Sequence, residues 1–178
     1  MRKLRRIALS LVLAVALVVA FTAPAFAQNP TVSISVKARL IAITNSQDTW
    51  DMGVVAIDGV KYFSADNAQD DDYSRITNTG SVAVDVEIQG TDLTGTPTWT
   101  LATSVGADTY TLYANKELTP TVYDVEVKKA SYADIVTGLA AAGTNDWSMK
   151  FTAPSSFGGT ENGATKSGTV TLVASAAA

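Results

Sequence analysis

Apolar and polar residues alternate along most of the chain beyond residue 30, a two-residue period typical of β-strands with one buried face. In the clearest run, four β-branched residues alternate with Ala83, Asp85, Glu87 and Gln89: Val82, Val84, Val86 and Ile88. The same period occurs in 31–44, 123–128, 147–151 and 169–174, and shorter candidate strands lie at 50–55, 60–63, 74–78, 99–102 and 109–114. We therefore expect about ten short strands.

Turn-forming residues separate these runs. Asp58-Gly59 fits a tight hairpin turn between 54–57 and 60–63, and polar loops are expected at 90–97 and 155–168. Only 132–142 is a candidate helix, of one or two turns. The pattern predicts an all-β fold: a single β-sandwich, immunoglobulin-like or jelly-roll, of about 8–10 strands, with a helix-poor barrel as the alternative.

The run over 31–44 is about twice the length of a typical strand. One interpretation is an ordinary strand of its own domain. The other is a donor strand that adds to the open sheet edge of a second molecule and inserts alternate side chains. The inserted side chains would then be Val32, Ile34, Val36 and Leu40. A domain built in this way polymerises head to tail.

The N-terminus has the three parts of a secretory signal peptide. Four basic residues precede an apolar run over 7–21, and Ala25-Phe26-Ala27 follows as a cleavage site. We expect cleavage of 1–27, which leaves Gln28 at the start of the secreted or cell-surface domain 28–178. A retained anchor is disfavoured because a spanning helix needs roughly 20 apolar residues, so no membrane span is expected after processing.

Charge and composition exclude some classes of binding partner and some means of stabilising the fold. Four of the 13 Lys and Arg residues lie in the leader and none of the 17 Asp and Glu residues do, so 28–178 carries nine basic and 17 acidic residues, a net charge of −8. Such a surface repels phosphate backbones, so nucleic-acid binding is not expected. Cysteine is absent, so the core must suffice without disulfides.

The sequence offers no catalytic residue set. Histidine and cysteine are both absent, which removes Ser-His-Asp and Cys-His nucleophiles and imidazole or thiolate zinc sites. Glu87 and Glu126 are the one candidate carboxylate pair for a glycosidase mechanism, and the alternative is a solvated strand face. We expect a protein that is not an enzyme and has no cofactor, calcium being the one candidate ion.

The candidate calcium ligands lie in one acidic stretch: Asp66, Asp70, Asp71 and Asp72. Calcium prefers six to eight oxygen ligands, which a loop rich in Asp and Asn can supply. The spacing does not match an EF-hand, since Ala68 occupies an acidic position and no glycine marks the bend. A solvated acidic loop is the competing interpretation.

Three tryptophans offer a second binding chemistry. Trp50, Trp99 and Trp147 each begin a run of alternating apolar residues, which favours core positions. If the same rings were exposed in a row, they would stack on sugars, and the protein would be a binding module.

Two resemblances add to these patterns. Residues 76–86, with the turn Asn78-Thr79-Gly80-Ser81, resemble a pattern of secreted immunoglobulin-like sandwiches. The layout of a signal peptide, a cysteine-free sandwich, a long first strand and a final strand resembles prokaryotic secreted fibre subunits of the TasA and camelysin type and archaeal bundling pilins. That resemblance implies that 29–44 completes the sheet of the next subunit in a homopolymer.

These observations rank three functions. A non-catalytic extracellular structural subunit of a filament, pilus-like fibre or surface layer comes first. A secreted binding module for cell-wall glycan or an extracellular partner is the alternative. An enzyme with an unusual carboxylate site comes last.

Overall fold

The computed structural model describes residues 33–63, 74–118, 120–158 and 163–178. In these ranges the protein is all-β with no helix, and no segment forms a helix that could cross a membrane. Residues Ala38–Ala178 form one compact unit. The strands are β1 (Ile43–Asn45), β2 (Val60–Phe63), β3 (Ser74–Asn78), β4 (Val84–Gly90), β5 (Thr100–Leu101), β6 (Thr109–Asn115), β7 (Val125–Glu126), β8 (Ala133–Leu139), β9 (Thr144–Thr152) and β10 (Val170–Ala176).

The strands form two sheets that pack against each other, which confirms the predicted β-sandwich. The larger, seven-stranded sheet has the order β1-β3-β9-β6-β5, with β2 also paired to β9 and β7 to β6. The smaller sheet has the order β10-β4-β8. Apart from the parallel pair β5–β6, the strand pairs are antiparallel.

Strand β4 shows how the alternating sequence creates the core. Val84, Val86 and Ile88 are completely buried, while the polar residues between them lie toward solvent. Opposite them, β9 contributes Trp147, Met149 and Phe151, each at most 4% exposed. Apolar side chains from both sheets therefore share one core, and burial of each stabilises the fold by roughly 1.5–3 kcal/mol.

The turn after β3 connects the two sheets through one buried amide. The side-chain nitrogen of Asn78 donates to the carbonyl oxygens of Val82 at 2.8 Å and Leu139 at 2.9 Å, and a third donor–acceptor distance, to Ala140, is 3.1 Å. Its side-chain oxygen accepts a hydrogen bond from the Gly80 N–H at 2.9 Å. Because Leu139 ends β8, this side chain ties the larger sheet to the smaller one.

The predicted helix at 132–142 is wrong, because Ala133–Leu139 is strand β8. It pairs antiparallel with β4, with register shifts near Val86, and these irregularities obscure the two-residue period in its sequence. Tertiary pairing with β4 therefore overrides a weak local preference.

The predictions of a strand at 50–55 and of a hairpin at Asp58-Gly59 are also wrong, because 50–55 is not a strand and 54–57 does not pair with 60–63. Asp58 does adopt a turn conformation with a positive φ of 53°, but 54–57 is not a strand. Instead, β2 pairs with β9 over Val60↔Thr152 to Phe63↔Met149. The backbone hydrogen bonds of β2 are therefore made with the longer strand β9 and not with the residues before the turn.

The long strand predicted over 31–44 is present only at its end in the described residues, and 31–32 lie outside them. Only Ile43–Asn45 forms a strand, paired with β3, and 33–42 has no strand assignment. Of the predicted inserted residues, Val32 lies outside the described residues. Ile34 and Val36 are 86% exposed and Leu40 is 57% exposed. The interpretation as an ordinary strand of its own domain therefore does not hold for 33–42.

Replacing Asn78 by Ala is expected to lower the free energy of unfolding by about 2–4 kcal/mol, because several buried backbone groups lose their hydrogen-bond partner. Urea unfolding monitored by tryptophan fluorescence measures this loss. Thr79→Ala, at the exposed neighbouring position, is the matched control and should stay within about 0.5 kcal/mol of the parent chain. Equal effects of the two substitutions would contradict the role given to the amide.

Stability should fall on acidification, in part through Asp92. Burial acts to raise its pKa, but the Leu101 N–H at 2.9 Å and the Lys129 ammonium at 3.0 Å outweigh burial and hold that pKa below its usual value. The stabilisation is therefore present above the ordinary carboxyl pKa of about 4 and is lost as the pH falls through the lower folded pKa. Asp92→Asn should flatten the dependence of urea midpoint on pH between about pH 5 and 2, and an unchanged slope would contradict this.

Candidate functional site beside the last strand

Strand β10 lies at an edge of the smaller sheet. Among the described residues it pairs with β4 alone, over seven residues from Val170↔Gly90 to Ala176↔Val84. This register runs without a shift, whereas the β4–β8 pairing on the other side contains two. The second side of β10 is therefore a regular strand edge that no described residue pairs with.

The backbone groups on that free side can be assigned from one hydrogen bond. The Ala177 N–H donates to the Ala83 carbonyl at 3.0 Å, so the backbone of Ala177 points toward the β4 side. Because consecutive residues of a strand point their N–H and C=O groups in opposite directions, Thr171, Val173 and Ser175 also face β4. The even-numbered residues therefore present their backbone groups at the free edge: Val170, Leu172, Ala174 and Ala176.

An apolar cleft of about 400 Å³ opens next to this edge. Val170 and Leu172 of β10 line one side of it. The larger sheet and the segment before β2 contribute further apolar residues: Trp50, Met52, Phe63, Tyr110, Leu112, Trp147, Met149 and Phe151. Polar residues line the cleft as well: Asn45, Gln47, Asp48, Thr49, Lys166, Ser167 and Thr169. Val170 and Leu172 therefore have both free backbone groups at the edge and side chains that line the cleft.

Aromatic rings form a connected wall of the cleft. The ring centroids of Trp50 and Phe63 are 5.3 Å apart, those of Phe63 and Trp147 are 5.9 Å apart, and Tyr110 lies 5.3 Å from Phe151. Burial raises the pKa of the Tyr110 phenol, whose hydroxyl donates to the Thr91 carbonyl. These side chains are held in place by one another.

The two indoles at the cleft differ in their hydrogen bonding. The Trp147 N–H donates to the side-chain oxygen of Asn45 at 3.0 Å. The Trp50 N–H is buried and has no hydrogen-bond partner in the described structure. A buried donor without an acceptor costs free energy, so the fold tolerates an unfavourable group here.

The prediction that the tryptophans are core residues is confirmed for Trp99 and Trp147, which are 7% and 2% exposed. Trp99 stacks on Phe157 at 5.1 Å, and the Lys166 ammonium lies 5.3 Å from its ring centroid. Trp50 is only partly buried, because it packs against the core from a segment that is not a strand.

The outer face of the smaller sheet is acidic. Glu87 of β4 lies directly opposite Asp134 of β8, a like-charge pair that destabilises the isolated sheet slightly. Asp85 is on the same face of β4, where its carboxylate accepts a hydrogen bond from the Gly138 N–H at 2.7 Å. The sequences of β4, β8 and β10 contain no lysine or arginine to balance these three charges.

In the described residues before β1, Leu40 and Ala42 are hydrogen-bonded to the turn after β3. The Leu40 N–H donates to the Ser81 hydroxyl at 3.0 Å, and the Leu40 carbonyl accepts from the Ser81 N–H at 2.9 Å. The backbone of Ala42 accepts from Thr79 at 3.0 Å and from Gly80 at 3.2 Å. These hydrogen bonds anchor Leu40 and Ala42 within the compact unit Ala38–Ala178.

The predicted calcium ligands Asp66, Asp70, Asp71 and Asp72 all lie outside the described residues, so that site stays a prediction. In the ranges that are described, no group of three acidic side chains is close enough to hold a metal ion. Glu87 and Glu126 lie in strands of different sheets, and Glu126 is 3.6 Å from the Lys128 ammonium. The structure gives no further support to that carboxylate pair as a site.

Comparison with known proteins adds no assignment: no protein family, curated protein or solved structure matches this chain. The candidate site is therefore argued from its geometry. Sequence alternation pointed to the exposed segment but not to the cleft, whose lining comes from residues far apart in the chain. The uncharged sequence of β10 was the available signal for its edge.

Replacing Trp50 by Phe is expected to change the free energy of unfolding by less than about 1 kcal/mol, because the lost N–H has no partner. Trp147→Phe is the matched comparison at the same cleft. It breaks the hydrogen bond to Asn45 and should cost about 1–3 kcal/mol. Urea unfolding followed by circular dichroism measures both, and a larger loss for Trp50→Phe than for Trp147→Phe would contradict the assignment.

Proposed function

We propose that this protein is a non-catalytic structural subunit of an extracellular filament, pilus-like fibre or surface layer, and that it assembles by donating its N-terminal segment as a strand to another subunit. The observation that carries the proposal is the exposed alternating segment 33–41. Its apolar residues Ile34 and Val36 are 86% exposed, although they have the pattern of a half-buried strand.

Burial of such side chains supplies a driving force for association. Transfer of each large aliphatic side chain from water is worth roughly 1.5–3 kcal/mol. Of the four side chains predicted to insert, the three that the structure describes are exposed: Ile34, Val36 and Leu40. Strand addition supplies main-chain hydrogen bonds as well, which make the contact directional and suit a repeating polymer.

The remaining sequence features are consistent with this proposal. A leader with a cleavage site before Gln28 would export the chain and leave the donor segment close to the new N-terminus. The absence of histidine and cysteine removes the commonest nucleophile systems. Glycan binding has less support, because Trp99 and Trp147 are buried and are unavailable to stack on a sugar ring.

The test is the assembly state of the chain that begins at Gln28. We expect filaments or large oligomers by electron microscopy and light scattering. Ile34→Asp/Val36→Asp should raise the concentration needed for assembly at least tenfold, because two carboxylates would have to be buried. The double variant should remain folded, since both side chains are exposed in the single chain.

Ser33→Asn/Ser35→Asn is the control, which puts polar side chains of the size of aspartate, without added charge, on the opposite face of the segment. It should assemble at a concentration close to that of the parent chain. A parent chain that stays monomeric at millimolar concentration would overturn the proposed function.

A further inference from the structure

We propose that the acceptor for the donated segment is the free edge of β10 in a second copy of this chain. Residues 33–41 run beside β10, with their apolar side chains in the cleft and with Lys37 and Arg39 on the acidic outer face of the smaller sheet. This inference rests on the proposed function and specifies the surface through which the subunits bind.

The first argument is the unprotected character of the β10 edge. Natural sheet edges are usually protected by charged residues, proline, bulges or covering loops, because a free regular edge recruits another strand. Strand β10 is Val-Thr-Leu-Val-Ala-Ser-Ala, with none of these residues and a register that runs without a shift. Its exposed side chains include Val173, at 37% exposed.

The opposite edge of the same sheet is protected. Strand β8 contains Asp134, has register shifts against β4 and includes Gly138 at a positive φ of 66°. These features disturb a regular ladder on its outer side. The contrast within one sheet selects β10 as the edge that is suited to receive a strand.

The second argument is the match of side-chain period. At the β10 edge, Val170 and Leu172 have free backbone groups, and their side chains line the cleft. A strand added there places every second side chain over the same cleft. Residues 33–41 have this period, with Ile34, Val36, Ala38 and Leu40 on one face.

The third argument is charge complementarity. The outer face of the smaller sheet carries Asp85, Glu87 and Asp134 without a basic residue on its three strands. With its apolar face in the cleft, the donated segment places Lys37 and Arg39 on that outer face. The two strands would be separated by β10 alone, about 10 Å apart. The side chains of β10 on that face are the uncharged Thr171, Val173 and Ser175.

The absence of cysteine from the chain gives a direct test by disulfide formation. Two single-cysteine variants are mixed and oxidised, one with Ser33, Ser35 or Lys37 replaced by Cys and the other with Thr171→Cys or Ser175→Cys. Because the backbone of Thr171 and Ser175 faces β4, their side chains lie close to those of an antiparallel partner on the free side. The control is Thr137→Cys, an exposed residue on β8.

We expect at least one segment–β10 combination to form disulfide-linked heterodimers at least tenfold more efficiently than the combinations with Thr137→Cys. Assembly without such a crosslink, or with crosslinks to β8, would overturn the β10 assignment but leave the proposed function intact. A failure of the parent chain to assemble would overturn both. With both cysteines in one chain, a disulfide formed only within monomers would show that the segment occupies its own edge, which also overturns the inference.

A charge exchange tests the orientation of the segment separately. Lys37→Glu/Arg39→Glu should raise the concentration for half-maximal assembly severalfold at low salt, and the difference should shrink at high salt. Adding Glu87→Lys should restore part of the loss, whereas Glu117→Lys, the same charge change outside the smaller sheet, should not. Equal effects of Glu87→Lys and Glu117→Lys would overturn the placement on the outer face.

Discussion

The smaller sheet depends on β4, the one strand in it that has a partner on both sides. Its buried residues Val84, Val86 and Ile88 anchor the sheet to the core, and its two ladders hold β10 and β8. Because a three-stranded sheet has only one such central strand, it must have two edges. The residues at each edge then determine whether a strand of another molecule can pair with it.

The two edges have opposite chemistry. Bulges, an aspartate and a positive-φ glycine interrupt β8, while β10 is regular, uncharged and next to an apolar cleft. The chain also has an exposed apolar segment of matching period that ends in an anchor at Ser81. The proposed assembly would pair the exposed segment of one copy with this strand edge of another copy.

Residues with reactive chemistry have little part in this arrangement. The carboxylates of Asp92 and Asp146 have pKa values below the usual range because hydrogen bonds and cations, Lys129 and Arg75 respectively, stabilise their charged forms. The Arg75–Asp146 pair connects β3 to β9, and Lys129 connects to the loop after β4. These groups support the sandwich, and the proposed function relies instead on the exposed segment and a strand edge.

The sequence by itself determined the all-β class and most strand positions, because alternation in runs such as 82–89 and 147–151 directly reflects which side chains face the core. It also singled out 31–44 as unusual. Only the tertiary structure decided that 133–139 is a strand, that 33–42 has no strand pairing in its own domain, and that β10 has a free edge. The physical reason is that pairing and edge exposure depend on which distant strands meet, and local periodicity does not encode that choice.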